Sequence, residues 1–472
     1  MFLNIDLKPS KNLAAIDDNG GKLTYGDIVS LRNNFANLLP PRELVFCLCE
    51  NKVESLAGFL ALYDCKDVCL LLNSSIDEEL LSNLICTYCP SYFWMPKSYN
   101  HCSDIIYTYN DYVLVKGKHS APNMHPELSM LMTTSGTTGS PKLVRHKYGN
   151  LESNAKNVAD LFRWTQDERG IMDLPMQYTM GLNVITSHLY AGATVLLISS
   201  NLMSPSFWKF IKDNKGTNFT GVPFSYEILN KLRFHRMDLP YLKTMAEGGG
   251  KLSDTLFKSF ADMAKEKGIR FFATFGTTET AARLAYLPPE DAVTHIGSIG
   301  KAIPGGYLSL VDDEKEQIDV VGREGELRYE GPNVTMGYAT SIDDLQKGDE
   351  FLGVYYTGDI ARQDSDGYFY IVGRKKRFLK LYGLRVSLDQ SEKIISEQLG
   401  IQCACIGDDS KMYIYITDTD LCNRVKVLLS EKTGLMYTTF EVISIPELPR
   451  LDSGKVNYKI LQQYNNAKVN KE

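Results

Sequence analysis

Thr133-Thr134-Ser135-Gly136-Thr137-Thr138-Gly139-Ser140-Pro141-Lys142 packs hydroxyls, two glycines and a lysine into ten positions, directly after an apolar stretch, 128–132, that reads as a strand. Glycines let backbone N–H groups approach an anion, hydroxyls add donors, and Lys142 supplies a point charge. This is phosphate-handling chemistry. The glycine spacing, Gly136-x-x-Gly139-x-x-Lys142, is not that of a Walker A loop. Beyond it, Leu151, Ala155, Val158, Ala159 and Phe162 follow helical spacing, so the loop is expected to join a strand to a helix.

The pattern continues outward from the loop. Strand-like runs at 192–198, 218–222 and 269–275 alternate with helical ones. Ser253 is placed to cap a helix with the apolar face Leu256, Phe257, Phe260, Ala261 and Ala264, ended by Gly268. That alternation predicts a largely parallel sheet with covering helices. At 374–377 the chain reads Arg-Lys-Lys-Arg, and a shorter α+β pattern follows. It comprises a helix from Ser387 to Gly400, strands at 402–406 and 412–417, and a helix at 421–432. The fold class is therefore α/β, with a large N-terminal domain, 1–374, and a small α+β C-terminal domain, 375–472.

With 472 residues, 44% apolar and 23% charged, the chain has the make-up of a soluble globular protein. It lacks a long apolar run or a basic-then-apolar leader, which predicts a cytoplasmic protein with no membrane insertion. Ten cysteines mostly sit in apolar runs and are expected to act as small hydrophobes. Cys86-x-x-Cys89 has no second pair at zinc spacing and reads as buried or half-buried thiols. The net charge of −6 divides into +4 for residues 374–472 and −10 for the rest. A basic C-terminal module suits an anionic partner, and the overall acidity argues against nucleic acid.

Further fragments carry chemistry. Gly248-Gly249-Gly250 follows a strand and permits flat backbone against a planar ring. Phe275-Gly276-Thr277-Thr278-Glu279 closes the next strand, where α/β sheets bind ligands. Thr278 offers a hydroxyl to phosphate and Glu279 a carboxylate to Mg²⁺. Asp359 puts a carboxylate where ribose hydroxyls could be gripped, and Arg374 is available to phosphate or ribose. Singly, each fragment is equally a glycine turn, a strand cap or a surface charge; their order is what informs.

In series, these segments resemble the motifs of the adenylate-forming superfamily: acyl-CoA synthetases, nonribosomal peptide adenylation domains and firefly-type luciferases. Leu23-Thr24-Tyr25 resembles its early marker, and Leu174-Pro175-Met176-Gln177-Tyr178 its substrate-side segment. Leu448-Pro449-Arg450-Leu451-Asp452-Ser453-Gly454-Lys455 resembles the final motif. The resemblance implies an enzyme that uses ATP and Mg²⁺ to turn a small carboxylic acid into an acyl-adenylate, then passes the acyl group to a thiol. It implies that Thr134, Ser135, Gly136, Thr137, Thr138, Gly139 and Lys142 hold phosphates, and that Gly248 to Gly250, Phe275 and Gly276 receive the adenine. It further implies phosphate and Mg²⁺ contacts for Thr278 and Glu279, ribose contacts for Asp359 and Arg374, and the adenylation role for Lys455. A mobile C-terminal domain would turn about Lys376 and bring Lys380 and Gly383 to the thiol step.

The chain also departs from the family pattern. Leu143 stands where Gly is usual, Tyr178 where His is frequent, Phe275 where Tyr is usual, and Gln390 where Glu is common. The stretch 178–184 has no acidic residue to pair with a substrate ammonium, which favours an uncharged acyl or aryl acid over an amino acid. Tyr178, Gly181, Leu182, Val222, Phe224 and Ala273 are the expected pocket walls. Three readings stay open: transfer to CoA, transfer to the phosphopantetheine thiol of an acyl carrier protein, and a non-catalytic adenylate-binding protein.

Overall fold

The structure is a computed structural model. It describes residues 1–99, 104–133, 142–375, 377–381, 384–408, 411–451 and 454–469. The phosphate-loop residues Thr134 to Gly139, the hinge residue Lys376, and Gly383, Asp452 and Ser453 thus lie outside the described residues.

Two large sheets dominate. The first has nine strands, whose central six (Leu13–Asp17, Thr194–Leu197, Arg169–Met172, Asn218–Gly221, Thr244–Glu247 and Arg270–Phe275) run parallel. Antiparallel strands close both of its edges. The second has eight strands around a parallel centre of Leu128–Thr133, Val68–Asn73, Leu44–Cys49 and Tyr92–Pro96. Helices Tyr25–Leu38, Val53–Asp64 and Thr179–Ala191 join both sheets in one apolar cluster that includes Phe35, Phe59, Ile185, Met130 and Val195. A central strand with helices on both faces needs apolar side chains both ways, and Leu44–Cys49 is buried at every position.

Local signals set these elements. Thr24 accepts from the Asp27 amide at 3.1 Å while Asp27 accepts from the Thr24 amide at 2.9 Å, a reciprocal cap on Tyr25–Leu38. The early Leu23-Thr24-Tyr25 marker is therefore a helix start, with Tyr25 buried and donating to the Ala193 carbonyl at 2.8 Å. Ser253 caps Asp254–Lys267, and Gly268 ends it in the left-handed region, both as the sequence predicts.

One expectation is corrected. The loop after Leu128–Thr133 does not lead straight into a helix: Leu143–Lys147 returns antiparallel to that strand before helix Asn150–Phe162 begins. Four of its five residues are buried, so Leu143, Val144 and buried Arg145 and His146 give it the burial of an interior strand. The sequence also left unread a four-stranded antiparallel sheet built from Tyr307–Val311, Glu324–Glu330, Val354–Gln363 and Phe369–Arg374.

Residues beyond 377 add a hairpin, Phe378–Leu381 with Leu384–Ser387, and a three-stranded sheet, Cys403–Gly407, Met412–Ile416 and Phe440–Ser444. Leu379, Ile395, Ile414, Val425 and Phe440 belong to one apolar cluster drawn from this part of the chain. Helix Leu388–Leu399 starts at Ser387, whose side chain accepts from the Gln390 amide, and ends at Gly400, as predicted. Cys86 is exposed, which corrects the expectation of burial, while Cys47, Cys49, Cys69 and Cys405 are buried free thiols. No helix among the described residues is long and apolar enough to cross a membrane.

Candidate active site

The parallel strands Arg169–Met172, Asn218–Gly221, Thr244–Glu247 and Arg270–Phe275 end on the same edge of the nine-stranded sheet. The segments that follow them are those of the substrate-side motif, Val222 to Phe224, the glycine run and Gly276 to Glu279. This is where an open α/β sheet leaves backbone groups and loop side chains free for a ligand.

The glycine run lies against apolar neighbours. A Cβ on Gly248 would come within 2.5 Å of the Thr274 hydroxyl and 2.9 Å of Met180 Cε, and Gly249, with φ +77°, faces Met180 and Val222. Gly276 is tighter still: a Cβ there would collide with the Ala282 carbonyl, so only glycine lets the chain turn from strand into Thr278–Thr280. Phe275 is half-buried beside the cluster of Leu284, Ile303 and Tyr355.

Glu279 is buried, and its Oε1 accepts the Tyr338 hydroxyl at 2.8 Å. The Lys142 ammonium lies 3.5 Å from the centroid of the same Tyr338 ring. Tyr338 thus ties together two predicted site residues, although sequence reading missed it. Asn333 braces the turn from below, donating to the Thr280 carbonyl at 2.7 Å and the Arg283 carbonyl at 3.0 Å. Tyr329 in turn donates to Asn333 Oδ1 at 2.7 Å. A Gly331-Pro332-Asn333 turn signal was available to point at this support.

Asp359 and Arg374 face each other across neighbouring strands, with Arg374 Nε donating to Asp359 Oδ1 at 3.0 Å. Asp359 is buried, and burial raises its pKa against the pull of the Arg374 charge. Lys455 comes to the same place. Its pKa is lowered first by burial and then by the Arg374 charge, while Asp359 and Glu279 draw it back. The structure therefore gathers Lys455, Arg374, Asp359 and Glu279 within electrostatic reach of one another.

Lys455 is held there by a tight loop. Leu451 donates its amide to the Lys455 carbonyl at 2.8 Å, and Arg450 Nη1 donates to the Gly454 carbonyl at 2.7 Å. Arg450 also lies over the Phe224 ring, 4.8 Å from its centroid, and pairs with Glu227 at 3.6 Å. Gly454 sits against Val222 and Phe224, so the C-terminal part closes over the substrate-side residues. Lys380 lies in strand Phe378–Leu381 opposite Arg385.

Two expected pocket walls are corrected. Ala273 points into the core with Phe257, Phe260 and Phe271, on the sheet face covered by Asp254–Lys267. Gly181 turns its Cα against the Pro175 carbonyl, where a Cβ would lie 2.5 Å away, so its role there is close packing of helix on loop. Tyr178 is half-buried just before Thr179–Ala191, and Met180 takes the place facing the glycine run. Sequence reading also missed two carboxylates: buried Glu247, whose pKa burial raises to about 8, and half-buried Asp173, whose Oδ1 is buried and whose pKa desolvation raises to about 7. Both sit at strand ends beside Tyr226, whose own pKa they help raise.

A nucleoside triphosphate fits these groups: two lysines for phosphate, and a buried carboxylate paired with an arginine for the sugar hydroxyls. Among the described residues no group of three His, Cys, Asp or Glu side chains could hold a metal. Glu279 supplies a single hard oxygen donor, which suits a Mg²⁺ that arrives with phosphate oxygens.

The sequence pattern of AMP-binding enzymes matches residues 5–339. An indoleacetate–CoA ligase of Aromatoleum aromaticum is 29% identical over 357 residues, covering 72% of this chain and 68% of the relative. An oxalate–CoA ligase of Arabidopsis thaliana is 28% identical, with 72% and 68% covered, and a medium-chain fatty-acid–CoA ligase of Escherichia coli is 27% identical, with 71% and 61% covered. Among solved structures, the anthranilate CoA ligase AuaEII in complex with anthranoyl-AMP has a TM-score of 0.78 at 20% identity, over 98% of this chain and 95% of that one. The o-succinylbenzoate coenzyme A synthetase of Bacillus subtilis, with ATP and a magnesium ion, has a TM-score of 0.77 at 19% identity, over 98% of both.

Proposed function

Because this chain belongs to the family of AMP-binding enzymes, we propose that it activates a carboxylic acid with ATP, releases pyrophosphate, and transfers the acyl group to the thiol of CoA. It is an AMP-forming acid–CoA ligase. The observation that carries this reading is the gathering at the sheet edge of the Arg374–Asp359 pair and the Lys142–Tyr338–Glu279 cluster, with Lys455 within electrostatic reach of Arg374, Asp359 and Glu279. The relatives above are named for their acids and share CoA as acceptor; they give no support to a carrier protein in its place.

In this reading a carboxylate must approach a triphosphate of like charge, so the enzyme's contribution is neutralisation and positioning. Lys142 and the hydroxyls of 134–138 would hold the outer phosphates, and Asp359 with Arg374 the ribose. Glu279 would hold Mg²⁺, which supplies charge neutralisation when bound. Lys455 would bridge the acid's carboxylate and the α-phosphate; its lowered pKa reflects a partly dehydrated ammonium, whose field is strong in that setting. Met180, Val222 and Phe224 would line the acid, with the glycine run as the wall beside the adenine.

For the second half-reaction we take residues 375–472 as a body that turns about Lys376, withdrawing Lys455 and bringing up Lys380. The contacts that would have to break include the ion pairs of Arg450 with Glu227 at 3.6 Å and Lys393 with Asp254 at 3.8 Å, the packing of Arg450 over Phe224, and the Arg374 amide donating to Asp389 Oδ2 at 2.9 Å. We place the reaction in the cytoplasm, where ATP and CoA are available.

Acid-dependent ATP–pyrophosphate exchange across a panel of acids tests the reading, with CoA then added to each hit. Exchange that proceeds to an acyl-CoA upholds it. Exchange without CoA turnover restores the carrier-protein acceptor, and no exchange with any acid restores a non-catalytic adenylate binder.

A further inference from the structure

Arg145 is completely buried in strand Leu143–Lys147, which leads the chain out of the phosphate loop. Its donors are aimed at one stretch of chain. Nε donates to the Tyr338 carbonyl at 3.0 Å, Nη2 to the Met336 carbonyl at 3.0 Å and to Glu350 Oε2 at 2.5 Å, and Nη1 to the Lys347 carbonyl. Main-chain bonds join the same parts: the Arg145 amide donates to the Gly337 carbonyl at 2.9 Å, and the Met336 amide to the Arg145 carbonyl at 2.8 Å. Gly337 has φ +114°, and a Cβ there would lie 3.0 Å from Glu350 Oε2 and 3.3 Å from Arg145 Nη2, so the ion pair packs against a residue with no side chain. A buried ion pair adds little stability over apolar packing, and its better attested gain is one fixed geometry.

That geometry bears on Glu279, which residues 335–338 hold from two sides. Thr335 donates its amide to the Glu279 carbonyl at 3.0 Å, and the Tyr338 hydroxyl donates to Glu279 Oε1 at 2.8 Å. The Lys142 ammonium lies 3.5 Å from the centroid of the Tyr338 ring. Arg145 therefore grips the chain at 336, 337 and 338, between and at the points that touch Glu279. The ribose side has its own supports: Arg374 donates to Asp359 Oδ1 at 3.0 Å, and the Asp359 amide donates to Thr357 Oγ1 at 3.0 Å.

We infer that Arg145 is a positioning residue for the triphosphate. By fixing Tyr338 it sets the Glu279 carboxylate and the Lys142 ammonium for the outer phosphates, and it leaves the nucleoside side alone. The inference rests on the nucleotide site proposed above.

The test is calorimetric titration of ATP with Mg²⁺, and separately of AMP, into wild type, Arg145→Lys and Arg145→Met. AMP reports the nucleoside side, and the ratio of the two dissociation constants reports the outer phosphates. Lysine keeps the charge and loses the planar fork that meets these acceptors. Arg145→Lys should weaken ATP about 10-fold, the loss of one bond to a charged group, while AMP stays within about two-fold. Arg145→Met should weaken ATP further. Adding Arg145→Lys to Tyr338→Phe should weaken ATP by no more than about two-fold beyond Tyr338→Phe alone, because residues that act through one another do not add.

Arg270→Lys is the control. Arg270 donates to the Phe162 carbonyl at 2.8 Å and the Thr244 hydroxyl at 2.7 Å, at the end of strand Arg270–Phe275 away from the site, so its variant should melt lower with the ratio unaltered. An Arg145→Lys that melts lower yet keeps the wild-type ratio overturns the inference, as does full additivity with Tyr338→Phe. If the Arg145 variants do not fold, Glu350→Gln makes the same comparison at a half-exposed carboxylate, with an expected change of about 3-fold, and an unaltered ratio there overturns the inference. A wild type that binds neither nucleotide overturns the nucleotide site itself, and the inference with it.

Discussion

The Tyr338 hydroxyl donates to Glu279 Oε1 at 2.8 Å. The same ring carries the Lys142 ammonium on its face, so one side chain from strand Tyr338–Ala339 spaces a cation from a carboxylate that arrive from different parts of the chain. Tyr338→Phe keeps the ring and removes the hydrogen bond. A bond to a charged acceptor is worth about 1.5–3 kcal/mol, so the exchange rate should fall by about 10-fold or more. Tyr338→Ala, which also loses the ring, should cost more. Mg²⁺ titration of the exchange rate separates the two, because only Glu279 orientation is lost in the first.

Lys455→Ala should reduce pyrophosphate exchange by at least about 100-fold, the scale for removing one charge-stabilising donor, while ATP binding measured by calorimetry stays within a few-fold. Unchanged turnover would remove Lys455 from the chemistry. Lys380→Ala should leave exchange intact and slow thioester formation; equal loss in both half-reactions would contradict a turn of the C-terminal part.

Gly276→Ala places a methyl group against the Ala282 carbonyl. Backbone cannot yield as a side-chain tip does, so the substitution should destabilise the fold by about 3 kcal/mol or disrupt the turn that carries Glu279. Urea denaturation measures the first effect and exchange kinetics the second. Gly305→Ala, at a glycine with φ +76° but open space around it, provides the comparison with strain alone.

Glu247 and Asp173 hold their protons to about pH 8 and about pH 7 in the folded chain. In the unfolded chain both ionise near pH 4, so their contribution to stability is complete below that and drains away as pH rises to about 8. Each group contributes a slope of up to about 1.4 kcal/mol per pH unit across its window. The melting temperature should therefore fall between about pH 4 and pH 8 more than surface charges account for, and Glu247→Gln should flatten that fall. A Glu247→Gln profile parallel to the wild type would show that Glu247 is already ionised.

Much of the fold was legible because it rests on local chemistry. Ser253 and Gly268 bound a helix through caps made within a few residues, and buried strands such as Arg270–Phe275 announce themselves as apolar runs. Leu143–Lys147 was not legible. It carries Arg145, His146 and Lys147; Arg145 is buried because Glu350 and the Met336 and Tyr338 carbonyls receive it, and burial keeps His146 neutral. Ala273 was misread for a related reason: alternation tells which residues share a face, and only the packed helix Asp254–Lys267 tells which face is core.

What the sequence by itself determined is the superfamily, the order of its motifs and the residue types a nucleotide and a carboxylate require, since these depend on composition and spacing along the chain. The tertiary structure alone decided which of those residues meet. Lys455 and Asp359 stand almost a hundred positions apart, as do Lys142 and Tyr338 twice over, and electrostatic and ring contacts act across a few ångströms of space whatever the distance along the backbone.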